Sequence, residues 1–249
     1  MKLAVVIISE ENKEAAELIK AVLGNTEIFH PAEKGELKTL IGKIFYNFEG
    51  IIFFMAAGIV VRLISPYIKS KYTDPAVIAV DSEKRFAISL LSGHEGGANR
   101  LTYRISGILD SLPVVTTRTE TSRKIIVGVG CRRNTPASEI EKAIRGVMGE
   151  YGISPGEIRL AATAWIKKND EALLAACENM GFPLVFITKE EILNYKNDYS
   201  TSEVVSRNIG VKGVCEPCAL IAGRRTKLRI KKTVIGNVTV AAAEEDQSQ

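Results

Sequence analysis

A chain of 249 residues, with 46% hydrophobic and 25% charged residues, is long enough to bury the core of one large globular domain or of two smaller ones. Its net charge of +4 is only mildly basic, and without a dense Lys/Arg tract this charge favours an anionic small molecule over nucleic acid as the partner. No apolar run approaches the length that crosses a bilayer, so we expect no membrane association.

Cysteine usage and the first residues indicate a cytoplasmic protein. Four cysteines in a chain of this size do not form the pattern of a disulfide-stabilised secreted domain. The apolar run at residues 2–8 is too short for a signal peptide and lacks a cleavage pattern, and we interpret it as a first strand. We therefore expect a reducing, cytoplasmic environment.

Strands and helices alternate along the first half of the chain. Continuous apolar runs such as residues 3–8 and 50–57 are typical of buried parallel strands. The predicted strands are residues 3–8, 27–30, 50–57, 76–80, 86–91 and 114–117, and the predicted helices are residues 12–23, 37–48, 59–65 and 94–109. The alternation predicts an N-terminal α/β domain at residues 1–120 with a Rossmann-like, mostly parallel sheet.

A polar segment at residues 117–124 separates this half from a second α/β pattern. The predicted strands of the second half are residues 125–129, 157–164, 184–187, 211–214, 228–234 and 238–243, and the predicted helices are residues 136–149, 170–180, 189–195, 202–206 and 217–222. We therefore predict a C-terminal α/β domain at residues 125–245 with a mixed sheet, so that the fold class is α/β with two domains.

Residues 92–99 read SGHEGGAN and hold His94, one of the two histidines of the chain. The stretch follows a predicted strand and opens a predicted helix, an arrangement that presents a side chain and backbone N–H groups to a ligand. Glycines let the backbone approach that ligand closely. Because imidazole gives and takes protons near neutral pH, His94 is the candidate acid/base.

Each of these features also has a structural interpretation. Ser92 and Glu95 form S-x-x-E, a capping box, in which Glu95 only closes the helix N-terminus. The glycines could serve the turn alone, and His94 could be a solvated residue. His30 has no motif around it, and we interpret it as structural or solvated.

Two further segments of the first half carry charge. Gly58 follows a buried strand, at a position where α/β proteins bind phosphates or carboxylates, and Arg62 lies just beyond it. The Arg62 guanidinium would hold a carboxylate, or it is an exposed helix charge. Lys69 and Lys71 belong to a polar loop and are either solvated or in contact with ligand, and Asp74 starts the next strand or caps a turn.

The second domain repeats the strand-then-glycine arrangement at residues 128–133, which read GVGCRR. Backbone amides near Gly130, together with Arg132 and Arg133, suit an acidic ligand, although a simple turn with solvated arginines gives the same pattern. No histidine lies near Cys131 in sequence, so we interpret this cysteine as structural rather than nucleophilic.

Residues 215–218 read CEPC, a spacing compatible with a redox pair or with half of a metal site. Because a second C-x-x-C is absent from the sequence, we interpret Cys215 and Cys218 as small buried residues at a helix start. Glu216 at the same helix N-terminus suits the helix dipole.

Several of these stretches together resemble the cobalamin-biosynthesis CbiG family. In the first half they are GIVVRLISPYIKSKYTDPAVIAVD, FAISLLSGHEGGANRL and PVVTTRTE, and in the second half they are GVGCRR, residues 202–204, 210–211 and 216–220, and the closing VTVAAAEE. The resemblance covers residues 51–245. Two features depart from the family pattern: residues 117–124 lack the extra segment that some members carry, and position 218 is a cysteine.

The resemblance implies a cobalt-precorrin-5A hydrolase of the anaerobic pathway to cobalamin. Its substrate is an anionic cobalt corrinoid with a δ-lactone; water opens the lactone, and the former bridging carbon leaves with its methyl group as acetaldehyde to give cobalt-precorrin-5B. The protein then needs no cofactor or metal of its own, because cobalt arrives in the substrate. Neighbouring pathway enzymes and a second copy of the chain stay open as partners.

The residues and the resemblance together give a hypothesis for the site. His94 is the acid/base, Asp74 orients it or the water, and loop amides are oxyanion or carboxylate donors. Arginines from both domains bind peripheral carboxylates of the substrate. The predicted substrate-binding residues are Gly58, Arg62, Ser92, Gly93, Glu95, Gly96, Gly97, Asn99, Gly130, Arg132, Arg133 and Glu216.

Two other functions fit parts of the sequence. A non-catalytic carrier of tetrapyrrole intermediates would use the same arginines and glycines, and it would be indifferent to the loss of His94. An α/β enzyme acting on a phosphorylated metabolite is disfavoured, because the sequence contains neither a P-loop nor a dinucleotide-binding fingerprint.

Overall fold

A computed structural model describes residues 1–31 and 34–246 of the chain. The chain forms two compact units, Met1–Arg118 and Thr119–Gln249. Each unit is built around a sheet of its own.

The first unit contains a sheet of six strands in the described residues. They are β1 (Leu3–Ile7), β2 (Thr26–Phe29), β3 (Gly50–Phe54), β4 (Ala76–Val80), β5 (Phe86–Leu91) and β6 (Leu112–Val114). The order is β2-β1-β3-β4-β5-β6. β1 to β4 are parallel, β5 runs antiparallel to β4, and β6 runs parallel to β5. The mostly parallel sheet predicted from the sequence is confirmed.

Helices cover both faces of this sheet. They are α1 (Lys13–Leu23), α2 (Lys34–Ile44), α3 (Ala57–Ile64) and α4 (Ala98–Leu109). Ile19 of α1 and Ile105 of α4 belong to one apolar cluster, and Ile41 of α2 and Val60 of α3 belong to another. Because the sheet is covered on both faces, β1, β3 and β4 are buried along their whole length, which explains why they are continuous apolar runs in the sequence.

A tight turn between β4 and β5 decides where the following segment lies. The Asp81 carboxylate closes this turn, accepting from the Phe86 amide at 2.7 Å and from Arg85 Nε at 2.9 Å. Such a short connection has no room for a crossover helix, so β5 returns antiparallel and Leu91 at its end pairs with Val77 at the start of β4. The segment after β5 therefore lies at the amino-terminal edge of the parallel strands.

The second unit contains a five-stranded mixed sheet in its described residues. The strands are β7 (Ile125–Cys131), β8 (Ile158–Ala164), β9 (Leu184–Ile187), β10 (Thr226–Ile235) and β11 (Val238–Glu245). The order is β10-β11-β7-β8-β9. β7, β8 and β9 are parallel, and β11 runs antiparallel to both β7 and β10. The mixed sheet predicted for the second half is confirmed.

The helices of this part of the chain are α5 (Arg118–Thr121), α6 (Ala137–Glu150), α7 (Glu171–Met180), α8 (Lys189–Asn194), α9 (Glu203–Ile209) and α10 (Cys215–Ile221). Ile144 of α6 and Leu173 of α7 pack in one apolar cluster with Val127 of β7. α10 lies directly on β7, where a Cβ added to Gly128 would stand 1.7 Å from the carbonyl oxygen of Cys215. This close approach requires glycine at position 128.

Three predicted elements differ most from the structure. The strand predicted at residues 114–117 lies at Leu112–Val114, so that only Val114 is shared. Residues 211–214 form a loop with bends rather than a strand. The Lys212 carbonyl of this loop accepts from the Ser202 amide at 2.7 Å instead of from a neighbouring strand. Val211 is buried, and its burial explains why the segment is apolar in sequence. The helix predicted from residue 94 begins at Ala98 instead, because Gly97 before it takes a left-handed φ of 80°.

Candidate active site

Residues 92–97, here called the His94 loop, connect β5 to α4. Ser92 and Gly97 both have left-handed backbone conformations, with φ of 55° and 80°. The amides of Ala98 and Asn99 donate to the carbonyls of Ser92 and Gly93 at 3.2 Å and 2.9 Å. The loop therefore closes the first turn of α4 with its own carbonyl groups.

The His94 loop presents an imidazole next to hydrogen-bond donors. His94 is exposed. In the part of the chain that the structure describes, no amide from Gly93 to Gly97 donates to a main-chain carbonyl. An imidazole transfers protons, and neighbouring N–H groups stabilise an oxyanion or bind a carboxylate. This loop thus combines the two chemical abilities that hydrolysis of an ester needs.

The capping box predicted for Ser92 and Glu95 is wrong. Ser92 is buried, and its hydroxyl has no hydrogen-bond partner among the described residues. The Glu95 carboxylate binds Lys71 Nζ at 2.8 Å, and this hydrogen bond lowers the pKa of Glu95 and raises the pKa of Lys71. Because α4 begins at Ala98, the S-x-x-E motif lies ahead of the helix and not in its first turn.

Asn99 and two glycines fix the shape of the His94 loop. Asn99 is buried; its Oδ1 accepts from Ser89 Oγ at 2.9 Å, and its Nδ2 donates to Thr117 Oγ1 at 2.8 Å. A Cβ at Gly93 would lie 2.8 Å from Asn99 Oδ1, and a Cβ at Gly96 would lie 2.5 Å from another side chain of the loop. Asn99 therefore fixes the position of the His94 loop through its hydrogen bonds to Ser89 and Thr117 and its close packing against Gly93.

Asp74 is a buried residue of the loop that precedes β4. Its Oδ2 accepts from the amides of Lys69 and Ser70 at 2.9 Å and 3.0 Å, which are the contacts of the turn-capping interpretation. A Cβ at Gly96 would lie 3.3 Å from the Asp74 carbonyl oxygen. Asp74 thus shapes a loop that packs against the His94 loop, with its carboxylate engaged by backbone amides.

Gly58 and the His94 loop lie at opposite edges of the first sheet. Gly58 follows the carboxyl end of β3 in the first turn of α3, whereas the His94 loop lies at the amino-terminal edge of β4. Arg62 is exposed in the last turn of α3. The structure therefore does not bring Gly58 together with His94, because β5 is antiparallel.

In the second unit the GVGCRR stretch forms the end of β7 and the turn after it. A Cβ at Gly130 would lie 2.6 Å from Thr239 Oγ1, which donates to the Gly130 carbonyl at 3.2 Å. Arg132 and Arg133 are exposed, and the Arg132 amide donates to the Asn237 carbonyl at 3.0 Å. Packing requires the glycine, and the two arginines are the part of the motif that faces solvent.

Sequence reasoning missed a polar cluster next to this turn. Lys167 Nζ lies 2.7 Å from Asp170 Oδ2, and Cys131 Sγ lies 3.9 Å from the same oxygen. Burial raises the pKa of the Cys131 thiol, which keeps the thiol protonated and unreactive. No local signal connects Cys131 with residues 167–170, because only the adjacent ends of β7 and β8 bring them together.

The remaining cysteines are free and buried. Burial raises the pKa of Cys177 to about 12 and that of Cys215 to about 11, and it raises the pKa of Cys218 well above its usual value. CEPC is thus a pair of protonated thiols in a packed helix.

Residues 1–31 and 34–246 contain no group of three or more His, Cys, Asp or Glu side chains placed to hold a metal ion. In the same residues, the helices are all too short or too polar to span a bilayer.

Glu216 ties three segments of the second unit together. It is 1% exposed, and its carboxylate accepts from the Ser200 amide at 2.5 Å, from Ser200 Oγ at 2.9 Å and from the Lys232 amide at 2.6 Å. Burial opposes ionisation, but the hydrogen bonds from Lys232 and Ser200 outweigh it and lower the pKa of Glu216. These donors occupy the carboxylate that the sequence predicted to bind substrate.

Replacing Glu216 with glutamine is expected to destabilise the second unit by about 2 kcal/mol at pH 7, because an amide cannot accept from all three donors. The pKa of Glu216 lies below its usual 4.5 in the folded protein, so its contribution is complete above about pH 4.5 and is lost as the pH falls through the folded-state pKa. Urea unfolding followed by the fluorescence of Trp165, the single tryptophan, measures both effects. Glu190→Gln, at an exposed site of α8, is the control and should change neither; equal stability of the Glu216 variant at pH 7 would contradict the assignment.

Comparisons with known proteins place both halves of the chain. Residues 39–120 match the family described as Cobalamin synthesis G N-terminal, and residues 125–243 match Cobalamin synthesis G C-terminus. A cobalt-precorrin-5A hydrolase from Priestia megaterium is 24% identical over 96% of this chain and 94% of its own. A probable cobalt-precorrin-5A hydrolase from Methanocaldococcus jannaschii is 26% identical over 99% and 100%. A solved cobalamin biosynthesis protein G homolog from Sulfolobus solfataricus is 21% identical over 98% and 97%, with a TM-score of 0.41.

The two sheets and the two matched segments define a protein of cobalamin biosynthesis built from two α/β units. The chain belongs to the CbiG family, since the N-terminal and C-terminal family regions match in order and are separated only by residues 121–124. The alignment with the Priestia megaterium relative runs to 352 positions, more than the 249 residues of this chain, so that relative carries residues that this chain lacks.

Proposed function

We propose that this protein is a cobalt-precorrin-5A hydrolase that acts in the cytoplasm on an anionic cobalt corrinoid. The observation that carries the proposal is the His94 loop, where an exposed imidazole stands beside a run of amides that donate to no main-chain carbonyl in the described residues. The proposal is supported by membership of the CbiG family and by relatives named as cobalt-precorrin-5A hydrolases.

The first chemical step is the opening of the lactone. His94 takes a proton from water as the water oxygen attacks the lactone carbonyl carbon. The amides of Gly93, Gly96 and Gly97 stabilise the oxyanion that develops on the carbonyl oxygen. The bond between the carbonyl carbon and the ring oxygen then breaks, and the imidazolium returns its proton to the departing alkoxide. This leaves a free hydroxyl and a carboxylic acid on the corrinoid, and the acid loses its proton to water to become a carboxylate.

The second step releases acetaldehyde. The new hydroxyl loses its proton to His94, its carbon–oxygen bond becomes a double bond, and the carbon–carbon bond to the macrocycle breaks. The electron pair of that bond passes into the conjugated, cobalt-bound macrocycle. Cobalt is part of the substrate, so we propose that the protein supplies no metal or cofactor of its own.

The substrate's peripheral carboxylates need cationic partners. We propose that exposed Arg62, in the same unit as His94, binds one of these carboxylates, because a guanidinium matches a carboxylate in geometry and charge. The carboxylate-binding role of exposed Arg132 and Arg133 in the second unit stays a prediction from the sequence. Asp74 and Asn99 act by positioning the loops, as their hydrogen bonds indicate. Gly58 and Glu216 have no substrate contact in this proposal.

Anaerobic single turnover in heavy-oxygen water tests the proposed route. Attack at the lactone carbonyl carbon places the heavy oxygen in the new carboxylate of the corrinoid, and acetaldehyde, trapped at once, keeps the original lactone oxygen. Mass spectrometry measures the heavy-oxygen content of the corrinoid carboxylate and of the acetaldehyde. Unlabelled acetaldehyde added to the same mixture is the control for exchange of its oxygen with water. Heavy oxygen in the acetaldehyde beyond that control would mean that the other carbon–oxygen bond breaks, which contradicts the proposal.

A further inference from the structure

Two loops of the first unit meet beside His94. Lys71, in the loop before β4, reaches across 24 residues of sequence to bind Glu95 at 2.8 Å. The carbonyl oxygen of Asp74, at the end of the same loop, lies against Gly96. The Lys71 ammonium is therefore bound to the residue that follows His94, the proposed acid/base. No local sequence pattern requires this contact.

The ion pair between Lys71 and Glu95 is open to exchange. Their side chains are 60% and 28% exposed. Exposed ion pairs contribute little to stability, because water already solvates both partners. A carboxylate that arrives with a ligand can therefore replace the Glu95 carboxylate as the partner of Lys71 at little cost. In the free protein the ammonium is bound to Glu95, the residue that follows His94.

An exposed aromatic ring lies next to this ammonium. Tyr72 is 74% exposed, more than any other large hydrophobic side chain in the described residues, and Lys71 Nζ lies 4.8 Å from the centre of its ring. The Tyr72 amide donates to Ser70 Oγ at 3.3 Å. Ser70 belongs to the turn that the Asp74 carboxylate caps. A flat apolar surface beside a cation suits a ligand with a broad conjugated ring and carboxylate arms.

We propose that Lys71 and Tyr72 form a corrinoid-binding edge of the His94 site. The Lys71 ammonium binds a peripheral carboxylate of the substrate in exchange for Glu95, and the Tyr72 ring packs against the macrocycle. The inference rests on the proposed function for the identity of the ligand. It adds two substrate-binding residues and makes Glu95 the partner that keeps Lys71 in place until substrate arrives.

Binding of two stable corrinoids tests this edge without turnover. Cobyrinic acid carries free carboxylate arms, and cobinamide carries amide arms. Lys71→Met should weaken binding of cobyrinic acid by about tenfold or more and leave cobinamide binding unchanged, because only the carboxylate form gains a charge-assisted contact. Tyr72→Leu should weaken both by about threefold to tenfold, because ring packing does not depend on the arms. Titration of the corrinoid absorption band gives each Kd.

Lys69 provides the matched control. It lies in the same loop, but its ammonium stands over the Tyr46 ring at 4.4 Å, so Lys69→Met should bind both corrinoids like the wild type. Wild-type affinity of Lys71→Met for cobyrinic acid, or an equal loss in Lys69→Met, would overturn the role of Lys71. Unchanged binding by Tyr72→Leu would overturn the role of the ring, and thermal unfolding confirms that each variant is folded.

Turnover of cobalt-precorrin-5A separates this inference from the proposed function. We expect Lys71→Met to raise KM by about tenfold with kcat nearly unchanged. If the wild type binds cobyrinic acid through Lys71 but releases no acetaldehyde, the hydrolase proposal fails and the binding edge stands. If Lys71→Met releases acetaldehyde with a normal KM, the binding edge fails and the hydrolase proposal stands.

Discussion

Replacing His94 with alanine is expected to lower the rate of acetaldehyde release by about 10²–10⁴-fold, which is the range that loss of a general acid/base costs. Both proposed steps move a proton through this imidazole, so neither proceeds efficiently without it. Binding should be retained, because carboxylate contacts are assigned to other residues. Anaerobic single-turnover assays with cobalt-precorrin-5A measure the rate, and corrinoid titration measures the affinity.

His30 gives the matched control for this experiment, since it is the other histidine of the chain. Its Nδ1 lies 3.2 Å from Glu10 Oε1, just after β2 and at the opposite edge of the sheet from the His94 loop. His30→Ala should release acetaldehyde at the wild-type rate. Acetaldehyde release by His94→Ala at nearly the wild-type rate would contradict the acid/base assignment and mean that another group transfers the proton.

Replacing Gly128 with alanine is expected to destabilise the second unit by about 3 kcal/mol, at the upper end of the usual cost of overpacking. The added Cβ would lie 1.7 Å from the carbonyl oxygen of Cys215 and 3.0 Å from the Cβ of Ala219. α10 would have to move off β7, and its apolar contacts with the sheet would loosen. Urea unfolding followed by Trp165 fluorescence measures the change.

Gly149→Ala is the control for this substitution. Gly149 lies in α6 with nothing within 4 Å of an added Cβ. There alanine should stabilise by about 0.5–1 kcal/mol, because a helical glycine costs more conformational entropy. A Gly128→Ala protein as stable as the wild type would show that α10 does not need the close approach seen in the structure.

Most strands could be predicted from the sequence, because a strand that is buried on both faces of a sheet consists of an unbroken run of apolar residues. β1, β3 and β4 are such runs, and all three are fully buried. The fold class followed from their alternation with helices. The SGHEGGAN stretch also stood out locally, because it places a histidine among glycines between a strand and a helix.

What the sequence could not predict depends on contacts between distant segments. The antiparallel direction of β5 places the His94 loop at the amino-terminal edge, and this separates it from Gly58. The S-x-x-E spacing predicted a capping box, but Gly97 starts the helix later and Lys71 pairs with Glu95. The hydrogen bonds that occupy Glu216 could not be predicted either, because its donors, Ser200 and Lys232, are each 16 residues away in sequence.

The measurement that tests the central claim most directly is the yield of acetaldehyde from cobalt-precorrin-5A under anaerobic conditions, with the macrocycle followed by mass spectrometry. We expect one acetaldehyde for each macrocycle that loses its two-carbon fragment, and a release rate that depends on His94. A macrocycle that binds and is recovered unchanged would contradict the hydrolase and indicate a carrier of corrinoid intermediates.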